Sequence, residues 1–110
     1  SSIANKVDKA AAVYLPVIVI GELYYGAMYS TQVQKNINQI KTLISRYRVL
    51  KIDEVTTLEY GKIKVALRKK GKPIPENDIW IATIAQQHNL TFVTRDRHFY
   101  EIDGLKIKVW

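Results

Sequence analysis

Residues 72–96 read KPIPENDIWIATIAQQHNLTFVTRD and contain a loop, a helix and a strand in succession. Prolines mark the loop, and Pro75 is well placed to start a helix that we expect to end near Asn89. Residues 90–94 are mostly β-branched or aromatic, which is typical of a strand. A helix followed directly by a strand favours an α/β fold.

The same alternation of helix and strand extends over the rest of the chain. Thr31 and Asp53 are the predicted N-caps of two helices, and Gly71 is placed to end the second of them. Strands that alternate with helices predict an α/β sandwich with a mostly parallel sheet. The predicted helices cover residues 2–11, 16–29, 31–47, 54–70 and 75–89, and the predicted strands cover residues 13–15, 48–52, 90–94 and 106–110.

Composition excludes several classes of protein. The chain has 110 residues, a length that fits one domain. It has no cysteine, which rules out disulfide scaffolds, thiol catalysis and Cys-ligated metals. The longest apolar run, residues 10–21, is interrupted by Pro16 and is too short to span a membrane, so we expect a soluble, cytoplasmic protein. The net charge of +7 would attract a phosphate backbone, although charge alone fits domains without nucleic acid equally well.

Glu22 is the first of three carboxylates that the predicted fold places unusually. It follows Ile18 by four residues and precedes Tyr25 by three, so we expect it on the helix stripe that faces the sheet. A buried carboxylate must be neutralised by a proton, a basic side chain or a metal, because an unpaired buried charge costs several kcal/mol. The alternative is a Glu at the edge of the stripe that reaches water or pairs with a lysine.

Asp78 and Asp96 are the other two carboxylates. Asp78 lies in the first turn of the fourth helix, on the side of the small apolar residues Ile81, Ala82 and Ala85, although capping and the helix dipole explain an Asp there equally well. Asp96 follows the strand over residues 90–94, at the carboxyl edge where open α/β sheets bind ligands. Taken singly, Asp96 also fits an ordinary turn.

A shared site for these three carboxylates would favour a hard divalent cation. Oxygen ligands without cysteine suit Mg²⁺ or Mn²⁺, and such an ion polarises a phosphoryl oxygen, so a phosphodiester is the natural substrate. The two histidines, His88 and His98, lack a metal-binding spacing. No glycine loop for phosphates and no glycine pattern around a nucleophilic serine occurs.

Several short motifs follow one another along the chain. They are Gly21-Glu22-Leu23 with Gly26-Ala27, Lys72-Pro73-Ile74-Pro75-Glu76-Asn77-Asp78 with Ile81-Ala82, Thr94-Arg95-Asp96-Arg97-His98-Phe99, Gly104-Leu105 and Val109-Trp110. Each motif alone is weak, but their order and spacing together are specific and extend over nearly the whole chain. In these motifs the chain resembles the PIN-domain ribonucleases, in particular the VapC-type toxins of bacterial toxin–antitoxin pairs.

This resemblance implies a three-layer α/β sandwich and a Mg²⁺- or Mn²⁺-dependent RNase that dimerises and is neutralised by a cognate antitoxin. By the same resemblance, Glu22, Asp78 and Asp96 occupy three of the family's four acidic positions, and Thr94 occupies that of a supporting hydroxyl. Basic residues beside these acids are the candidates for steering the RNA backbone. They are Arg95, Arg97 and Lys72.

The chain departs from the family pattern at its beginning. PIN domains start with a central strand that ends in Asp-Thr-Asn and supplies the first metal-binding aspartate, and nothing before Val13 matches it. We therefore expect a single PIN-like domain over residues 1–110 that is truncated at its N-terminus. Because the first aspartate is missing, one rival hypothesis is a non-catalytic fragment that binds RNA or antitoxin. A second rival is a receiver-like phosphoacceptor domain, but no lysine is found at a strand end to contact a phosphoryl group.

Overall fold

The computed structural model describes residues 14–94 and 96–108. The chain divides into two compact units, Ser1–Leu50 and Lys51–Trp110. The helix predicted over residues 2–11 lies outside the described residues. In the described ranges, no helix is both long enough and apolar enough to cross a membrane.

The described part of the first unit, residues 14–50, contains two helices between two short strands. Strands β1 and β2 pair in parallel, with Leu15 opposite Val49. Helical spacing predicts an apolar stripe along residues 31–47, and Ile40 on this stripe is buried in helix α2. The stripe consists of Val33, Ile37, Ile40, Leu43, Ile44 and Tyr47. The elements are β1 (Tyr14–Pro16), α1 (Val17–Tyr29), α2 (Val33–Arg46) and β2 (Arg48–Leu50).

The turn between α1 and α2 contradicts one predicted cap. The N-cap of α2 is Gln32 rather than Thr31, and its side chain makes no capping hydrogen bond. Ser30 organises the turn instead: its hydroxyl donates to the Ala27 carbonyl at 2.6 Å and accepts from Asn36 Nδ2 at 2.8 Å. These two bonds tie the turn to both helices, so a capping Thr31 is not needed.

Helix α1 buries a different face from the one predicted. Its buried residues are Ile20 and Ala27, whereas Tyr25 and Tyr29 are 72% and 83% exposed. Glu22 lies two residues, or about 200°, around the helix from Ile20 and is exposed. The predicted inward orientation of Glu22 was wrong because α1 is apolar almost all round, and such a sequence does not define a buried face.

The second unit contains two long helices, two short strands and a 3₁₀ helix that the sequence analysis did not predict. Strands β3 and β4 pair in parallel, with Phe92 opposite Ile107. The strands predicted over residues 48–52 and 90–94 are shorter than expected, and among the described residues each unit has its own two-stranded parallel sheet. The elements are α3 (Glu54–Lys70), α4 (Glu76–Gln87), β3 (Phe92–Val93), the 3₁₀ helix (Arg97–Glu101) and β4 (Ile107–Lys108).

A hydrophobic core joins α3, α4 and the 3₁₀ helix of the second unit. The Tyr60 ring of α3 stacks on the Trp80 ring of α4 with centroids 3.8 Å apart, beside this core. Phe99 packs edge-on against Phe92 at 4.6 Å, which connects the 3₁₀ helix to β3. The buried members of the core are Ile63, Leu67, Ile79, Ala82, Phe99 and Ile102.

Both ends of α3 agree with the prediction because local chemistry determines them. Asp53 caps the helix: its Oδ1 accepts from the Thr56 N–H at 2.9 Å, and the Thr56 hydroxyl accepts from the Asp53 N–H at 3.0 Å. Gly71 ends the helix in the left-handed conformation, with φ at 66°, and its N–H donates to the Arg68 carbonyl. This conformation strains any residue that carries a Cβ.

Alanine at two glycines of this region should have opposite effects on stability. A Cβ at Gly61 or Gly71 would meet no atom within 4 Å, so packing does not distinguish the two positions. Gly61 is inside α3, where Ala stabilises by about 0.5–1 kcal/mol. Gly71→Ala should destabilise by about 1 kcal/mol because of its positive φ. Chemical denaturation measures both changes, and a shift in the same direction would contradict this assignment.

The Asp53 cap should make the free energy of unfolding depend on pH. Bonds from the backbone and side chain of Thr56, and then from Gln87, hold the pKa of Asp53 below its ordinary value of 3.8. A lowered folded-state pKa means that the carboxylate stabilises the fold above pH 3.8 and that this contribution is lost as the pH falls through the lowered pKa. Asp53→Asn should therefore be less stable than the unsubstituted protein near neutral pH.

The measurement is chemical denaturation at a series of pH values. The difference between Asp53→Asn and the unsubstituted protein should be constant above pH 3.8 and shrink below it. Glu54→Gln is the matched control, because it removes a carboxylate from the same turn without breaking a cap bond. A difference that persists unchanged at acidic pH would contradict the role of the Asp53 charge.

Candidate active site

Asp78 is held in the first turn of α4. The N-cap of this helix is Pro75, no side chain caps the helix, and the Asp78 N–H donates to the Pro75 carbonyl at 3.0 Å. The Asp78 carboxylate therefore does not cap the helix, whereas its position in the first turn still fits the helix dipole, the other part of the predicted alternative. Its predicted neighbours Ile81, Ala82 and Ala85 are buried, and the Asp78 side chain is 22% exposed at the edge of this apolar surface.

The Asp78 carboxylate is paired with His98 instead. His98 Nε2 lies 3.0 Å from Asp78 Oδ2, and the His98 side chain is 35% exposed. An ionised carboxylate only accepts hydrogen bonds, so Nε2 carries the proton of this bond. The sequence does not reveal the contact with His98, because the two residues are 20 positions apart and the 3₁₀ helix that presents His98 shows no periodic pattern.

Thr94 organises the chain directly after β3. It is buried, and its N–H donates to the Lys108 carbonyl at 3.0 Å. Its hydroxyl accepts a 3.0 Å bond from the Asp96 N–H, which fixes the position of the Asp96 amide. Asp96 is exposed, and its carboxylate makes no capping bond to the 3₁₀ helix. Both predicted interpretations of Asp96, ligand and turn residue, remain compatible with this position.

The predicted RNA-steering residues have different positions. Lys72 and Arg97 are exposed, and Arg95 lies outside the described residues. The Lys72 backbone is fixed by a 3.0 Å bond from its N–H to the Leu67 carbonyl at the end of α3. Lys72 and Arg97 thus belong to the second unit together with Asp78 and Asp96, whereas Glu22 belongs to the first unit.

Carboxylate oxygens at this site suit a hard divalent cation, but among the described residues too few metal-ligating side chains lie together to complete a metal site. Asp78 offers a partly exposed carboxylate, the ligand that Mg²⁺ prefers. Over residues 14–94 and 96–108, no group of three acidic or histidine side chains lies close enough together to hold a metal ion. Asp78 by itself does not make a metal site, and its role as a metal ligand stays a prediction.

The hydrogen bond between Thr94 and Asp96 can be tested by amide exchange. Thr94→Val removes the acceptor, and the Asp96 amide should then exchange about fivefold faster, as expected for a bond of about 1 kcal/mol. Thr94→Ser keeps the hydroxyl and should preserve the protection of this amide. Hydrogen exchange followed by NMR measures both, and equal exchange in the two variants would show that the Thr94 hydroxyl does not hold Asp96.

Comparison with known proteins identifies relatives over most of the chain. The PIN domain family model matches residues 2–105. Ribonuclease VapC2 of Haemophilus influenzae is 37% identical over 94 residues, which cover 84% of this chain and 71% of that protein. The tRNA(fMet)-specific endonuclease VapC of Salmonella typhimurium is 35% identical over 94 residues, with the same coverage of 84% and 71%.

A solved structure is also similar to this chain over most of its length. VapBC-1 from nontypeable Haemophilus influenzae aligns with a TM-score of 0.90 and 33% identity, over 98% of this chain and 84% of the matched chain. The predicted α/β fold of the PIN type is thereby confirmed, while the predicted lack of its first strand stays a prediction. With a family model and close relatives that span most of its length, the chain belongs to the PIN-domain family, in its VapC branch.

Proposed function

We propose that this protein is an endoribonuclease toxin that hydrolyses RNA phosphodiester bonds and is neutralised by a cognate antitoxin. Two findings support this function: relatives at 35–37% identity are named ribonuclease or tRNA endonuclease, and a solved relative is a VapBC assembly. One of these relatives is specific for tRNA(fMet), so tRNA is the first substrate to test. A homodimer and a cytoplasmic location remain predictions.

The observation that carries the proposal is the held carboxylate of Asp78. Its Oδ2 is bonded to His98 at 3.0 Å, and among the described residues its Oδ1 makes no hydrogen bond. A partly exposed carboxylate with one oxygen fixed and the other open is suited to bind a cation or to orient water. Burial of Ile79, the next residue, keeps the backbone of this turn in place.

The proposed chemistry uses the residues of the second unit as follows. Asp78 and Asp96 supply carboxylate oxygens, and Thr94 holds the backbone of Asp96 through its 3.0 Å bond. Lys72 and Arg97, both exposed, attract and orient the RNA backbone, with Arg95 as a third candidate. Glu22 of the first unit is the third proposed ligand. A Mg²⁺ or Mn²⁺ ion, when bound, would supply a Lewis acid that polarises a phosphoryl oxygen.

A non-catalytic role is the second candidate. It is favoured by the finding that the described ranges contain no complete group of metal-ligating side chains. In this alternative the protein binds RNA or its antitoxin without cleaving RNA. Binding of tRNA without any cleavage, both with added Mg²⁺ and with EDTA, would support this alternative and contradict the endoribonuclease proposal.

Asp78→Asn should abolish RNA cleavage and leave the fold intact. The amide keeps an oxygen that accepts the bond from His98 Nε2, but it has lost the charge that a cation or a polarised water requires. Cleavage of a tRNA pool should fall at least about a hundredfold, the lower end of what an essential acid–base or metal-binding group contributes. The variant should still fold and unfold in one cooperative transition, although a neutral amide binds His98 less strongly than the carboxylate does.

Asp103→Asn is the matched control for this substitution. Asp103 is an exposed aspartate of the same unit, and its Oδ1 pairs with Lys70 Nζ at 2.8 Å. The variant loses one negative charge as Asp78→Asn does, so it controls for the change in net charge. We expect Asp103→Asn to cleave RNA at the unsubstituted rate. Full activity of Asp78→Asn would remove the proposed role of Asp78.

A further inference from the structure

His98 is in direct contact with the Asp78 carboxylate, and the chemistry proposed above gives it no role. The chain has two histidines, and their surroundings differ. His88 is the exposed C-cap of α4, where its backbone N–H bonds to the end of the helix. His98 is half-buried and has its imidazole against the Asp78 carboxylate.

The imidazole of His98 packs against the ring of Phe99, with the two centroids 4.6 Å apart. Phe99, the next residue, is 2% exposed and packs edge-on against Phe92 at 4.6 Å. Ile102, also buried, closes the 3₁₀ helix with a bond from its N–H to the Phe99 carbonyl at 3.2 Å. The hydrogen bond to Asp78 is therefore made by a donor whose backbone is anchored in the core. A donor fixed in this way loses little freedom when it binds.

Asp78 is anchored in the same core from the other side. Ile79, the residue after Asp78, is 4% exposed and belongs to the same hydrophobic cluster as Phe99. Donor and acceptor are thus each adjacent in sequence to a buried side chain of one cluster. Their separation of 3.0 Å is set by the packing of α4 against the 3₁₀ helix and not by two flexible surface side chains.

We infer that His98 is a positioning residue for the proposed ribonuclease. Its Nε2–H binds Oδ2 of Asp78 and thereby presents Oδ1 in one orientation to a divalent cation. The inference rests on the proposed function, and it adds a residue that acts through Asp78 without touching the substrate. Hydrogen bonds to metal-ligating groups fix their orientation, and their loss typically weakens metal binding by 10- to 100-fold.

Substitutions of both histidines test this role through binding of Mn²⁺, measured by calorimetry. His98→Ala should weaken Mn²⁺ binding about 10- to 100-fold and lower kcat for tRNA cleavage with little change in KM. His98→Gln should recover most of the affinity and of kcat, because its amide N–H can take the place of the imidazole Nε2–H. His88→Ala is the matched control and should behave like the unsubstituted protein.

These variants also separate positioning from a merely structural contact. A structural contact would change the denaturation midpoint without a selective effect on Mn²⁺ affinity or kcat. The inference is overturned if His98→Ala binds Mn²⁺ within twofold of the unsubstituted protein. It is also overturned if His98→Gln is no better than His98→Ala, because the N–H donor would then not be what matters.

The NMR signals of the two imidazoles locate the ion independently of activity. Substoichiometric Mn²⁺ is paramagnetic and should broaden the ring protons of His98 much more than those of His88. Broadening that is no stronger at His98 would overturn the inference, even if RNA cleavage proves the ribonuclease itself correct. A protein that neither binds Mn²⁺ nor cleaves tRNA would instead overturn the proposed function, and with it the inference that depends on it.

Discussion

The packing of Ile79 and Phe99 in one hydrophobic cluster determines the geometry of the candidate site. Both side chains are buried, at 4% and 2% exposure, and each directly follows a residue of the site. Consecutive helical residues point about 100–120° apart, so a residue beside a core residue lies at the edge of the core. Asp78 and His98 meet at that edge, where a carboxylate is ordered and yet reaches solvent.

The structure could be predicted well where a single residue type is required locally. Asp53 and Gly71 set the ends of α3 because a cap needs a short acceptor side chain and a left-handed residue favours glycine. The amphipathic stripe of α2 was equally predictable. The buried face of α1 was not, because nearly every residue of that helix is apolar and tertiary packing alone selects Ile20 and Ala27.

The candidate site could be predicted only in part, because some of its contacts also depend on tertiary packing rather than on local sequence. Asp78 was found because its position in the first turn of α4 and its apolar neighbours are readable from spacing. The pairing with His98 joins residues 20 positions apart through a 3₁₀ helix, and no local pattern encodes such a contact. The exposure of Glu22 removes the argument from burial, so its proposed role now rests on the family resemblance and not on an energetic necessity.

The charge of the proposed substrate explains why a carboxylate at this edge calls for a cation. A phosphodiester and Asp78 are both anions, and two like unit charges 4 Å apart repel by about 4 kcal/mol at an effective dielectric constant of 20. The net charge of +7 attracts RNA over longer distances, but salt screens exposed charges beyond about 8 Å at physiological ionic strength. The hydrogen bond from His98 orients the Asp78 carboxylate without removing its charge, because a hydrogen bond does not transfer the proton.

A positive charge between the carboxylate and the phosphate must therefore come from a bound cation or from a basic side chain that reaches the pair. Lys72 and Arg97 are exposed, and ordering their long side chains would cost up to about 2 kcal/mol each. A divalent cation carries twice the charge and has no side chain to order. It binds best to an oxygen whose position is already fixed, which is the condition that the contact between His98 and Asp78 provides.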